Sequence, residues 1–439
     1  MTDDPKPRSA SRDAMRTLFF NGAAAAVGIV TGIVVAKALG PAGKGYFSGL
    51  ALLQSGASSA ISGFGASITY FLSRHKRTAV DLFGPLVLVF AIISVVQPIV
   101  LLLWGWRFGF TPVIVVFAAT SPATVIVAWQ QGIYLGLDRV TSLNSQILGF
   151  AVFLLVMVGA ALALHLGLAG ALWAWALTTY GAAAVVMLRI ANLLRGKPSW
   201  DFREALRSIA KYASGATVGS ILGFFNYRID SLVLIGFLGA PGFGVYSVAV
   251  SAGEVLFRIP RAVATATTYR VGASAFEDSA VTTARSIRTC TAIVVAATLP
   301  LYVLAPWLVQ WFYGPQFAEA APALRILLPG IVLFVSVGLF SPFFTFQMGR
   351  PIVVVYMSLC MIALQTGLGF WLVPLYGLAG AAIASTSTYI ASAIIVTIYF
   401  CRLTKLNWVD VWIVKKEDLK TLRRLLPRDR PSGRASSGR

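Results

Sequence analysis

Charge is scarce in this sequence: Asp, Glu, Lys and Arg make up 12% of its 439 residues. A soluble domain carries roughly 25% charged residues, which help cover its water-facing surface. With 57% hydrophobic residues and a mean hydropathy of +0.79, the chain could not form an ordinary soluble globule. Histidine and cysteine are scarcer still. His75 and His165 cannot make a metal cluster alone, and Cys290, Cys360 and Cys401 have neither metal nor CxxC spacing. No Ser-His-Asp set, Walker A loop, paired carboxylates or metal-ligand cluster is evident. No catalytic residue, metal or cofactor is therefore expected. Acids are outnumbered, 16 against 36 basic residues, giving a net charge of +20. In a soluble protein that excess would suggest nucleic acid. Here the basic residues fall between apolar runs and in both tails, as membrane-orientation charges do, so no nucleic-acid partner is expected.

Long apolar runs are what the sequence has in quantity. A spanning helix needs about 20 mostly apolar residues, and reading for that length predicts about twelve. They fall near 17–39, 46–72, 82–104, 110–135, 143–165, 168–192, 210–238, 243–269, 288–312, 322–346, 351–373 and 378–401. The expected fold is an all-α integral membrane protein in two pseudo-symmetric six-helix bundles. Its expected parts are a tail over 1–16, a first lobe over 17–192, a basic linker over 193–209, a second lobe over 210–401 and a basic tail over 402–439. The start is polar and basic, and the first apolar run is too long for a signal-peptide core. Basic residues alternate between loops. Arg74, Lys76, Arg77, Arg139, Arg195, Lys197, Arg203, Arg207, Arg285, Arg288 and Arg350 fall on one side, with both tails. Lys37, Lys44 and Arg107 are the few on the other. The positive-inside rule then places both termini in the cytoplasm. In the last part, Trp408, Val411, Trp412, Leu419, Leu422 and Leu425 fall near helical spacing among basic residues. An interfacial helix and an unstructured basic tail both fit that pattern.

The halves look alike. Leu39-Gly40-Pro41-Ala42-Gly43-Lys44-Gly45-Tyr46-Phe47-Ser48 follows the first run, and Leu238-Gly239-Ala240-Pro241-Gly242-Phe243-Gly244-Val245-Tyr246-Ser247 follows the seventh. Gly167-Leu168-Ala169-Gly170-Ala171 opens the sixth, and Gly377-Leu378-Ala379-Gly380-Ala381 opens the twelfth. Asp138-Arg139 and Gly349-Arg350 sit at matching turns. Three matches in register imply a six-plus-six duplication, a known transporter plan with a site between the repeats.

Within the expected runs only Asp230 and Glu254 are acidic. Buried charge in a bilayer costs at least about 2.5–3.5 kcal/mol, so such groups mark a cavity or a partner. Ser247, Ser251, Glu254, Arg258, Arg261 and Thr265 recur at helical spacing and predict one polar face lining an aqueous cleft. Arg258 and Arg261 are the first choice for holding a pyrophosphate, because a guanidinium matches phosphate through a planar fork and stays charged. Glu254 and Arg258 equally fit an internal ion pair. Asn226 and Asp230 share a face, while Arg228 reads either as a substrate contact or as a partner of an acid. Asp230 and Glu254 read as sites for a coupling ion, H+ or Na+, or as structural pairs. Ser48, Ser55, Ser58, Ser59, Ser62 and Thr69 in the second run fit close helix packing better than sugar contact. Gln130 and Gln131 fit sugar hydroxyls or an interface.

These residues together resemble a family. Ala36 to Ser48, Arg228-Ile229-Asp230, Leu238-Gly239 through Ala249, Glu254-Val255-Leu256, Tyr313-Gly314, Leu324-Arg325-Ile326-Leu327, Gly349-Arg350-Pro351 and Pro374 to Ala382 are similar to polysaccharide transporters and O-antigen flippases. These belong to the multidrug/oligosaccharidyl-lipid/polysaccharide (MOP) exporter superfamily. The resemblance covers nearly the whole chain except the tails. It implies two lobes forming a V, a cationic cavity and a polyprenyl-pyrophosphate-linked oligosaccharide as substrate. It places the chain in a bacterial inner membrane, with membrane lipids and a polysaccharide polymerase or glycosyltransferases as expected partners. Thr268-Tyr269-Arg270 departs from it where many relatives carry proline. Three other readings are a multidrug cation antiporter of the same superfamily, a lipid II flippase, and a non-transport scaffold of the cell envelope. The antiporter would want acids in the first lobe, and between Arg16 and Lys37 there are none.

Overall fold

Apolar runs of this length become helices because lipid offers the backbone no hydrogen bonds and the helix satisfies its own. The computed structural model describes residues 10–75, 77–108, 111–194, 198–415 and 418, and these are nearly all helical. In chain order the helices are α1 (Ala10–Ser73), α2 (Ala79–Phe108), α3 (Thr111–Gly136), α4 (Val140–Ala163), α5 (Gly167–Ile190) and α6 (Phe202–Glu254). They continue as α7 (Arg258–Ala273), α8 (Phe276–Tyr313), α9 (Ala320–Pro342), α10 (Pro351–Thr404) and the short α11 (Trp408–Trp412). Among the described residues nine helical stretches are long and apolar enough to cross a membrane. Three of them are twice the needed length and break at a glycine: α1 at Gly40, α6 at Gly239 and α10 at Gly377. Dividing these three at their breaks gives the twelve segments expected. Large apolar side chains such as Ile92, Val156, Leu299 and Trp307 are exposed, as a lipid-facing surface requires. The chain is a multi-pass membrane protein.

The expected boundaries shift in two places. α1 begins at Ala10, inside the stretch read as a tail, and α6 begins at Phe202, inside the stretch read as a linker. In the tail, α11 is capped by a reciprocal bond set between Asn407 and Asp410. The expected helical spacing at Leu419, Leu422 and Leu425 lies outside the described residues.

Two compact units divide the chain. The first takes the described residues of Met1–Ser251, Pro306–Ala323 and Ile362–Ala384, and the second those of Ala252–Ala305, Leu324–Met361 and Ser385–Arg439. The first unit has a core of Ile61, Ile68, Leu82, Trp129, Val186 and Ile209, joining α1, α2, α3, α5 and the start of α6. In the second unit Phe400 meets Phe340 and Phe343 edge to face, Phe343 meets Phe344 likewise, and Phe340 stacks with Phe344, around a π-helical turn at Phe343–Gln347.

The repeat is visible as backbone geometry. Gly40 and Gly239 hold nearly identical left-handed conformations, φ 65° and 61°. A side chain is strained there, which is why the motif keeps glycine at both. Asp138 pairs with Gly349 and Gly167 with Gly377, and all four also have positive φ. Within the first unit the motif of one repeat meets that of the other. Ser48 Oγ donates to Ser247 Oγ at 3.2 Å, across a separation of 199 residues. A β-carbon on Gly45 would collide with the Ala240 carbonyl, and one on Gly244 with the Pro41 carbonyl. Both Pro41 to Ala240 and Gly45 to Gly244 are steps of the same 199 residues. The contact is therefore its own image when the repeats are exchanged.

Candidate functional site

On α6, Asp230 is 7% exposed; the Tyr246 hydroxyl donates to one carboxylate oxygen at 2.8 Å and the Ser231 amide to the other at 2.6 Å. Arg228 is half-buried two residues before Asp230 on the same helix. Asn226, one turn before Asp230, is half-buried, and among the described residues its Oδ1 accepts no hydrogen bond. Ser251 is half-buried near the end of the same helix.

The polar stripe of the eighth run is not one continuous α-helical face. After Glu254 the chain tightens into a 3₁₀ turn over Val255–Phe257 before α7 resumes at Arg258. A 3₁₀ residue advances about 120° against about 100° in an α-helix, so the turn changes the angular register between Glu254 and Arg258 within the second unit. Glu254 is half-buried and Arg258 exposed. Arg261 lies within α7, and its side chain, like that of Thr265, is outside the described ones.

The geometry also brings out residues that sequence reading missed. Lys44, read as a loop charge, lies buried just after the Gly40 break, with its Nζ against Gly32. Asp81 is buried at the start of α2, where it caps Thr78 and accepts the Ser199 and Trp200 amides, tying down the segment before α6. In the second unit Asp418 is 1% exposed and paired with Arg288 at 2.8 Å and Arg285 at 3.3 Å. Burial alone would push the Asp418 carboxyl up. The Arg288 hydrogen bond, the Lys415 amide and the two arginine charges outweigh it and hold the carboxyl below the usual aspartate range.

Within the first unit a cavity of about 450 Å³ opens among α1, α3, α4 and α5. From α1 come Gln54, Ser55, Ser58, Ser62 and Thr69, all after the Gly40 break. Thr124 and Gln131 of α3, Phe150 of α4, and Trp175 and Thr179 of α5 complete the polar and aromatic wall. No lining residue is charged. Ser58, Gln131 and Leu135 are exposed and mark the mouth. Gln54 is fixed at both ends, donating to Thr120 Oγ1 at 2.9 Å and accepting from Thr124 Oγ1 at 2.7 Å. Trp175 is braced edge-on by Phe47, with centroids 5.2 Å apart. Ser55, Ser58, Ser62 and Thr69 of the second run thus line a space as well as packing, while Ser48 and Ser59 do not, and of the two glutamines Gln131 reaches it. Gln130 is buried in α3 and does not line it. Among the described residues no group of three or more His, Cys, Asp or Glu could hold a metal.

Residues 139–322 match the family model described as polysaccharide biosynthesis protein. A search of curated protein sequences finds no match. Among solved structures, an inward-facing multidrug resistance MATE family transporter of the MOP superfamily aligns with a TM-score of 0.72 at 17% identity, covering 89% of this chain and 94% of that one. A MOP superfamily transporter from Pyrococcus furiosus, described as having a binding pocket of reverse polarity that suggests a different function, aligns with a TM-score of 0.63 at 15% identity, covering 90% of this chain and 95% of that one. The all-α fold is therefore MATE-like. The family match covers residues 139–322, and the likeness to the two transporters is one of fold.

Proposed function

We propose that this protein is a flippase that moves a polyprenyl-pyrophosphate-linked oligosaccharide across a bacterial inner membrane by alternating access, with both termini cytoplasmic. The observation that carries the reading is the match of residues 139–322 to the polysaccharide biosynthesis family. In this reading the isoprenoid tail stays in lipid while the head crosses through the protein. Moving a pyrophosphate through hydrocarbon without compensation is prohibitive, and arginine is the residue type suited to replace its water. Arg258 and Arg261 are assigned that role, with Arg228, Asn226 and Ser251 as further contacts. Asp230 and Glu254 are assigned to ion coupling or to holding the arginines. A cation antiporter would want carboxylates, and the first-unit cavity has none.

The test is transport in proteoliposomes, reading the access of a glycosidase to the glycan of a polyprenyl-pyrophosphate-linked oligosaccharide. Wild-type protein should expose the glycan, and Arg258→Ala and Arg261→Ala should each slow exposure at least tenfold while remaining folded. Wild-type rates in both variants would remove the arginines from the mechanism. No movement by wild-type protein would remove the flippase.

A further inference from the structure

We infer that the first-unit cavity is a binding site for uncharged sugar units, an inference that rests on the flippase reading for its place in transport but not for its chemistry. The argument starts with where the hydroxyl protons go. Ser62 donates to the Ser59 carbonyl at 2.8 Å, Thr179 to the Trp175 carbonyl at 2.9 Å and Thr69 to the Gly132 carbonyl at 3.0 Å. Thr124 gives its proton to Gln54 Oε1. A hydroxyl has one proton and two lone pairs, so these four groups face a ligand as acceptors. The ligand that satisfies them must bring O–H or N–H donors of its own.

Charge then selects among such ligands. An anion needs a cation or a cluster of N–H donors on the wall; the wall is uncharged, and its side-chain amides are Gln54, held by Thr120 and Thr124, and Gln131. An organic cation needs a carboxylate, since burying its charge unpaired is strongly unfavourable; the wall has none. A neutral polyol meets both conditions. Trp175 and Phe150 add flat apolar faces for the C–H side of a pyranose ring, and the Phe47 contact holds the indole in place. The volume of about 450 Å³ falls within the roughly 300–1,000 Å³ of small-molecule sites.

The test uses the purified full-length chain in lipid nanodiscs and saturation-transfer NMR. The probes are a panel of free neutral oligosaccharides, a matching panel containing uronic and sialic acids, and tetraphenylphosphonium. At least one neutral probe should bind, and its affinity should fall at least tenfold in Trp175→Ala. Ser58→Trp, at an exposed position of the mouth, should have the same effect by plugging the cavity, and it keeps the test valid if Trp175→Ala loosens the bundle. No binding by any neutral oligosaccharide overturns the inference. So does neutral binding unchanged in Ser58→Trp, or acidic-glycan or cation binding that the two variants abolish. Loss of the site with lipid-linked transport intact would leave the flippase standing. Glycan binding without transport would do the reverse.

Discussion

The second span of the first repeat and its counterpart in the second repeat share a backbone plan and differ in chemistry. Both leave a left-handed glycine, Gly40 and Gly239, and both run through the serine pair that meets at 3.2 Å. Carrying the same 199-residue step onward sets Ser55 against Glu254, Ser59 against Arg258 and Ser62 against Arg261. At three successive equivalent positions one repeat has a hydroxyl and the other a charge. In the first repeat the hydroxyls bond back to their own helix, as Ser59 does to Ser55 and Ser62 to Ser59, and α1 runs on unbroken to Ser73. In the second the helix tightens into a 3₁₀ turn between Glu254 and Arg258. Duplication kept the scaffold and released the side chains to specialise, with neutral acceptors on one copy and ionic groups on the other.

The largest effect should come from breaking what the repeats share. Gly45→Ala or Gly244→Ala drives a β-carbon into a backbone carbonyl, a steric fault in the core expected to exceed about 4 kcal/mol. Detergent-extracted protein should lose its monodisperse peak in size-exclusion chromatography; normal elution of both variants would show that the crossing tolerates separation. Next is the ionic chemistry of the second unit. Arg288→Ala leaves buried Asp418 with only the more exposed Arg285 as an ion-pair partner, which is expected to cost about 3 kcal/mol in thermal unfolding, while Lys415→Ala, at a more exposed pair, should change little. Acid should act on the same contact. The folded Asp418 pKa is lowered, so its stabilisation is complete above the unfolded value of about 3.9 and is lost as pH falls through the folded one. Proteolysis of the tail after residue 405 should accelerate there and not between pH 6 and 8.

Smaller effects sharpen the contrast within the first repeat. Ser62→Arg gives the first copy the residue of the second, Arg261, without its surroundings. An intramembrane cation costs about 2.5–3.5 kcal/mol on the insertion scale, to be read as reduced yield in the membrane fraction. An unaltered yield would mean the cavity is wet enough to solvate charge. Gln54→Ala should be mildest, about 1 kcal/mol, because it removes the amide bridge between the Thr120 and Thr124 hydroxyls, which keep their bonds to the Val116 and Thr120 carbonyls.

Much of the fold was legible because its causes are local. Runs of apolar residues announce spans, and Gly40 with Gly239, or Gly167 with Gly377, announce the duplication through the conformations only glycine adopts easily. The site was less legible because its causes are tertiary. Lys44 reads as a loop charge until α1 is seen to fold it inward. Arg288 reads as an orientation charge because its partner, Asp418, stands 130 residues away. Nothing in the spacing of Glu254 and Arg258 signals a 3₁₀ turn between them. The serines after Ser48 read as packing residues since their role depends on Trp175 and Phe150, contributed by α5 and α4.

The reciprocal crossing of Pro41 and Gly45 with Ala240 and Gly244 has the form of an isologous interface, in which one patch recognises a copy of itself. A free six-span half carrying this motif once would meet a second such molecule through the same four residues. Fusing two genes would then have joined partners that already fitted. Expressed as separate polypeptides, the halves should find each other again at this seam.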